Sequence, residues 1–333
     1  MKNACIVGYG AIGPVHADAI NKCPDAHLYA VCDIDAERLK KSTDEYSGVI
    51  GYTDFDNMLT DDNIDVVHIC TPHYLHEPMT KAALAAGKDV VLEKPVCITR
   101  GEMQNIINIA DRHKDRKLCI MLQNRTNACI VKMKRLAASV ETGKLLGIIA
   151  SLSWHRDEKY YAHDSWRGKW ATEGGGLMIN QAVHLLDLMI MFGGKPVKVR
   201  SNLSHWKISN IEVEDTANAL VQFESGICGV FNATNCHSCD SPFYLELDFE
   251  NVKLRYADGV LYRITDDDIT IIEKDVKANI GKKYWGSGHA RVTDAFYSSL
   301  EGRPSPYTTI YDAADTMSVM FDMYEKGIME ETR

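Results

Sequence analysis

The sequence predicts an α/β chain with two parts: a doubly wound parallel sheet over residues 1–122, then an α+β unit on a largely antiparallel open sheet over 123–333. Three observations predict it. An apolar strand at 4–7 runs straight into a glycine-rich turn. Short β-rich runs then alternate with helical stretches as far as residue 122, the pattern of βαβ units. From about Gly147 strand-like runs follow one another without helices between them, the pattern of an antiparallel sheet.

In the first part, strands are expected at Ala4–Val7, His27–Cys32, Asp65–Cys70, Asp89–Leu92 and Lys117–Leu122. Helices are expected at Ile12–Lys22, Ala36–Tyr46, Leu75–Ala86 and Arg100–His113. In the second, a helix at Ala128–Glu141 leads to a strand at Ile148–His155 and a further helix at Leu177–Phe192. Strand runs follow at Lys195–His205, Ala217–Phe223, Ile227–Ala233, Tyr244–Phe249, Val252–Tyr256 and Ile269–Ile272, with helices at Ala290–Leu300 and Ala313–Tyr324 closing the chain. Helices cover one face of this sheet. The other face, if apolar, is a surface for a homodimer or homotetramer.

The turn after the first strand reads Gly8-Tyr-Gly10-Ala11-Ile12-Gly13, a G-x-G-x-x-G. Gly8 lets the chain turn off the strand, Gly10 lets a pyrophosphate reach the backbone, and Gly13 lets the next helix lie close to the sheet. Asp33 follows 20 residues after Gly13 and closes the second apolar run, with Ile34 beside it. A carboxylate there accepts both ribose hydroxyls of an adenosine and repels a 2′-phosphate, so the Rossmann part is expected to bind NAD rather than NADP. Arg38 is read as part of a solvated helix face.

Bulk properties exclude several classes. The 333 residues carry a net charge of −9 with no basic cluster, which argues against nucleic acid and anionic membranes. No run approaches the roughly 20 apolar residues of a membrane span, and the start shows no signal-peptide pattern. Ten scattered cysteines, several within apolar strands, predict free thiols in a reducing cytoplasm. Cys236 and Cys239 form the one C-x-x-C; without a second ligand pair it is read as loop cysteines, and no metal is expected.

Parallel sheets bind ligands beyond their strand carboxyl ends. The third strand ends in Thr71-Pro72-His73, followed by His76; the loop is a cofactor contact, and His76 alternatively belongs to the next helix. The next ends in Glu93-Lys94-Pro95; Glu93 and Lys94 are expected to contact the cofactor, with a plain surface pair as the alternative. An ammonium there donates to a substrate hydroxyl and stabilises the oxygen as a hydride leaves. Asn180 and His184 lie four residues apart on a predicted helix, hence on one face. His184 is the expected base; a core histidine and a capping Asn180 are the plainer alternatives. The stretch Trp154–Trp170 is rich in aromatics and cations, a composition that suits a polyol pocket, with Arg156 and Tyr160 as substrate candidates. Arg125, His289 and the pair Tyr284-Trp285 are further candidates to complete it.

Together the G-x-G-x-x-G, Thr71-Pro72-x-x-x-His76, Glu93-Lys94-Pro95, Gly174-Gly175-Gly176, Asn180-x-x-x-His184, Asp187 and Gly302-Arg303-Pro304 resemble the Gfo/Idh/MocA oxidoreductases, which include glucose–fructose oxidoreductase and inositol dehydrogenase. The likeness covers essentially the whole chain. It implies catalysis by Lys94 and His184, with Asn180 standing where the family has an aspartate. It implies a structural or orienting role for Asp187 and places Trp166 and Arg167 beside the nicotinamide and pyrophosphate. The expected activity is NAD-dependent oxidation of a secondary alcohol of a sugar, sugar derivative or cyclitol. The substrate is expected between the nicotinamide and the helix of Asn180 and His184. Two alternatives remain open at this point: a glycosidase that retains NAD and acts by transient oxidation and elimination, and a non-catalytic NAD- or sugar-binding regulator.

Overall fold

The structure, a computed structural model, describes residues 1–276, 280 and 286–331. The chain divides into two compact units, 1–97 with 101–123 and 277–313, and 98–100 with 124–276 and 314–333. The sequence division at 122/123 therefore needs a correction: the described residues 286–313, assigned by sequence to the second part, pack with the first. The reason is hydrophobic. Helix α9 (Gly288–Leu300) lies on α1 (Gly13–Lys22), and its Val292, Phe296 and Tyr297 share a core with Ala17, Ile20 and Val31.

The first unit is a six-stranded sheet in which every pairing is parallel. Its strands are β1 (Lys2–Val7), β2 (Ala26–Cys32), β3 (Ile50–Tyr52), β4 (Val66–Ile69), β5 (Asp89–Glu93) and β6 (Leu118–Met121), ordered β3-β2-β1-β4-β5-β6. Strands β1, β4, β5 and β6 are runs of apolar residues because helices cover both faces of such a sheet. The order reverses between β1 and β4, which places the turns after those two strands side by side. The sequence reading lacked β3 and the five-residue helix Phe55–Leu59. Three largely exposed residues carry no periodic signal.

The second unit holds a nine-stranded mixed sheet. Strands β7 (Leu145–Ser153), β8 (Pro196–His205), β9 (Thr216–Phe223), β10 (Cys228–Thr234), β11 (Tyr244–Phe249), β12 (Lys253–Ala257), β13 (Val260–Ile264), β14 (Ile269–Lys274) and β15 (Ile328–Glu331) run β14-β13-β12-β11-β7-β10-β9-β8-β15 across it. Only β7–β10 and β8–β15 are parallel. In β9 the side chains alternate: Ala217, Ala219, Val221 and Phe223 are buried, and the residues between them face outward. Register aligns Ile149, Val230 and Leu220 on three adjacent strands of the outer face, where they are 44%, 42% and 47% exposed.

The predicted helix Leu177–Phe192 differs in kind at its start. Met178–Ala182 form a π-helical turn, and the α-helix proper, Val183–Gly193, begins after it. Such turns concentrate at functional sites. Among the described residues no helix is long and apolar enough to cross a membrane.

Candidate cofactor and catalytic sites

The first site is built on the carboxyl ends of β1, β4 and β5. Gly8 has φ +92°, and a Cβ there would stand 2.8 Å from the Cys70 carbonyl oxygen, so the neighbouring strand end enforces glycine. Gly10 differs. A Cβ on it would meet only the tip of the Arg38 guanidinium, at 4.0 Å. The fold does not demand glycine there, whereas a close-lying ligand does. Helix α1 starts with no side-chain cap and no acidic residue in its first turn, so its amino end is open to an anion. Ala11 is exposed and Ile12 half-buried along the same turn. Asp33 is buried and held by two backbone donors, the Tyr9 N–H at 2.6 Å and the Asp35 N–H at 2.8 Å. Beside it Ile34 is 93% exposed, an apolar platform in water next to a fixed carboxylate. These features fit a dinucleotide: open backbone for the pyrophosphate, carboxylate for the ribose, apolar surface for the base.

Beyond β4, Thr71 and Pro72 are half-buried and His73 buried. The His76 ring lies 2.6 Å from the Pro95 carbonyl and 3.0 Å from that of Thr71. It staples the two loops from behind. Lys94 is partly exposed. Burial lowers the imidazoles of both His76 and His289, against the opposing pull of the nearby Glu93 carboxylate.

Sequence reasoning missed what lies under Lys94. Glu93 Oε2 accepts the Lys94 N–H at 3.1 Å, and Oε1 lies 2.9 Å from His16 Nε2 and 3.7 Å from His289 Nε2. His16 Nδ1 lies 2.8 Å from His68 Nδ1, and His68 Nε2 2.9 Å from the Tyr297 hydroxyl. All five side chains are buried. Burial, with His16 adding to it, drives His68 far down, so its ring is neutral; burial first, then nearby anionic groups, pushes the Tyr297 hydroxyl up. One direction of donation satisfies every atom: Tyr297 to His68, His68 to His16, and His16 to Glu93. His16 thereby spends both ring nitrogens within the chain. Thus, of His16, Glu93 and His289, whose ligand atoms lie within 4.8 Å of one another, His16 and Glu93 are hydrogen-bonded and His289 stands close by at 3.7 Å. His16 sits three residues past Gly13 on α1, a spacing that could have drawn attention to it.

The second site belongs to the other unit. From Glu173 to Ile190 every residue is buried except Asn180 and His184. Asn180 lies on the π-helical turn, and His184 opens the α-helix. The Asn180 amide donates to the buried Glu173 carboxylate at 2.5 Å, which fixes which end of the amide is which. Arg167 packs over Trp166, 4.5 Å from the ring centroid, and donates to Asp164 at 2.7 Å and to the Tyr160 hydroxyl at 2.9 Å. Gln181 reaches that same hydroxyl at 2.9 Å. Arg156 lies over Trp154 and Tyr160 and pairs with Asp240 at 2.9 Å. The aromatic and cationic stretch is thus one connected network.

Two expected substrate contacts also have partners within the protein. Arg125 makes a two-pronged pair with Asp187, at 2.8 and 2.6 Å, and Thr316 also donates to Asp187 at 2.9 Å. His289 sits in the first turn of α9, in the first unit and against Glu93. Tyr284 and Trp285 lie outside the described residues. Cys236 and Cys239 sit in a partly exposed loop as free thiols.

Behind the three glycines, Glu214 accepts from the Gly176 and Met178 N–H groups at 3.0 and 2.8 Å and from the Tyr324 hydroxyl at 3.0 Å. Burial nevertheless pushes this carboxyl up to about 7. A folded value above the unfolded one means that the contribution is full below the unfolded value of 4.5 and is lost as pH rises through 7. Chemical denaturation should show roughly 2.5 kcal/mol less stability at pH 8 than at pH 5 from this group. Glu214→Gln should flatten that slope whatever its absolute stability; an unchanged slope would refute the assignment.

Comparison with known proteins gives the class. Residues 2–121 match the oxidoreductase family with an NAD-binding Rossmann fold, and residues 130–263 match the GFO/IDH/MocA C-terminal domain. The chain belongs to the Gfo/Idh/MocA oxidoreductase family, and its cofactor is NAD. A myo-inositol 2-dehydrogenase of Thermotoga maritima is 24% identical over 89% of this chain and 85% of its own length. The uncharacterised oxidoreductase YdgJ of Escherichia coli is 30% identical, but the match spans 60% of this chain and about half of that protein, 56%. Among solved structures, the WlbA dehydrogenase of Chromobacterium violaceum in complex with NADH and UDP-GlcNAcA superposes with a TM-score of 0.85. It has 27% identity and covers 97% of this chain and 92% of that one.

Proposed function

We propose that this chain is a dehydrogenase that transfers hydride between NAD and a secondary alcohol of a sugar, sugar derivative or cyclitol. The observation that carries the reading is the pair Asn180 and His184, the only residues to reach the surface in an otherwise buried stretch, in a chain whose other unit presents Lys94 next to an open dinucleotide turn. A relative named as a myo-inositol 2-dehydrogenase and a dehydrogenase neighbour solved with UDP-GlcNAcA support the substrate class. The aromatic–arginine network around Tyr160 is suited to sugar faces and hydroxyls.

When bound, NAD supplies the hydride acceptor. Gly8, Gly10, Ala11, Ile12 and Gly13 receive its pyrophosphate, with Arg38 above the turn. Asp33 takes the adenosine ribose hydroxyls and Ile34 the base. Thr71, Pro72 and His73, held by His76, line the nicotinamide half, and Trp166 with Arg167 complete it. Lys94 donates to the reacting oxygen and stabilises its developing negative charge. His184 takes the hydroxyl proton, a task suited to an imidazole near neutral pH. Asn180 orients a substrate hydroxyl but cannot take its proton. Arg156 and Tyr160 hold the remainder of the sugar. A panel of sugars, nucleotide sugars and cyclitols with NAD and with NADP, followed at the nicotinamide absorbance, tests this. No reduction of NAD by any of them would overturn the reading.

The exposed strip of Ile149, Val230 and Leu220 supports a homo-oligomer through the sheet face. Leu220→Asp is expected to shift the mass in solution to that of the monomer, and an unchanged mass would refute this surface. Ten free cysteines, seven of them buried, support a reducing, cytoplasmic setting.

A further inference from the structure

The five buried groups beneath Lys94 make no step in the scheme above, yet one of them is a carboxylate. Glu93 is 5% exposed at the carboxyl end of β5 and holds the main-chain N–H of Lys94. Burial alone would raise its carboxyl, but the hydrogen bond from His16 and the close His289 ring hold it well below the ordinary carboxylate range. It therefore carries a fixed negative charge. His68 and Tyr297 lock the His16 ring in the orientation that serves it. An ionised carboxylate in such a dry setting acts at longer reach than one in water.

We propose that the Glu93 carboxylate, positioned by His16 and His289, is the counter-charge of Lys94 that lets the site accept the oxidised, positively charged nicotinamide in preference to the reduced one. The inference rests on the reading that Lys94 meets the nicotinamide ring. Removing the carboxylate strengthens the repulsion between the ammonium and the cationic ring. Reduced nicotinamide has no ring charge and feels little of this. Glu93 is thus a positioning and electrostatic residue that sets the potential of bound cofactor and does not touch the substrate proton. His16, His68 and Tyr297 act through it.

Calorimetric affinities for NAD⁺ and NADH, measured without substrate, test it directly. Glu93→Gln should weaken NAD⁺ about tenfold relative to NADH, which is one decade in the affinity ratio. His16→Leu, which keeps the carboxylate but removes its main donor, should move the ratio the same way by less. Lys94→Met should move it the opposite way, and Glu93→Gln/Lys94→Met should bring it back to the wild-type ratio, a compensation that lost packing alone does not produce. If Glu93→Gln fails to fold, the His16→Leu and Lys94→Met arms still decide. A ratio unchanged in Glu93→Gln and His16→Leu, while Lys94→Met shifts it, overturns the counter-charge and leaves Lys94 at the ring. A ratio unmoved by Lys94→Met overturns the placement of Lys94 itself.

Discussion

Replacing Lys94 or His184 with alanine should lower kcat by about a thousandfold with the best polyol substrate, while NAD still binds. The magnitude follows from two separate losses. Without the ammonium, the oxygen on the carbon that loses hydride has no donor to share its developing charge, which is worth about 10²–10³ in rate where such donors are removed. Without the imidazole, the proton has no acceptor of suitable basicity, and general-base removal alone costs about 10²–10⁴. Asn180 cannot substitute, because its amide is already oriented by Glu173 and has no basic lone pair. Added imidazole should therefore restore part of the rate to His184→Ala and none to Lys94→Ala. Steady-state kinetics with NAD binding measured alongside decides the matter. A rate within threefold of wild type in either variant removes that residue from the chemistry.

The sequence carried the first sheet almost completely because a parallel sheet writes itself as separate apolar runs. The expected Ala4–Val7, His27–Cys32 and Asp89–Leu92 each lie within one residue of the observed strand at their carboxyl ends. Those ends are where ligands bind, so the turn at Gly8–Gly13 and the Glu93-Lys94 pair could be located without coordinates. The edge strand β3 and strand β13, second from the edge of its sheet, left weaker marks, since exposure dilutes the pattern. The assignment of 286–313 to the first unit depends on long-range packing of Phe296 and Tyr297, which no local period encodes. The same limit hid the group around Glu93. His16, His68 and His289 are separated by 52 and 221 residues, and each alone reads as an ordinary buried histidine. The π-helical turn at Met178–Ala182 was also beyond sequence pattern, because its residues are apolar on the same faces as those of an α-helix.

Arg125→Met should destabilise the protein by about 3–5 kcal/mol, the cost of leaving a buried carboxylate without its cation. The Asp187 side chain is 2% exposed and that of Arg125 15%, so water screens little of their interaction. Two parallel hydrogen bonds at 2.8 and 2.6 Å make the contact directional as well as charged. Once Arg125 is gone, Asp187 keeps the hydroxyl of Thr316, a single neutral donor that does not replace a guanidinium. Removing both charges relieves the problem: Arg125→Met/Asp187→Leu should recover most of the loss, since apolar pairs of similar volume often match buried ion pairs. Urea denaturation of the two single variants and the double variant measures this. The same experiment separates the ion pair from the substrate contact that the sequence suggested for Arg125. A structural pair lowers stability in either single variant and recovers in the double one. A substrate contact would instead raise KM in Arg125→Met, leave its denaturation midpoint in place, and show no recovery on changing Asp187.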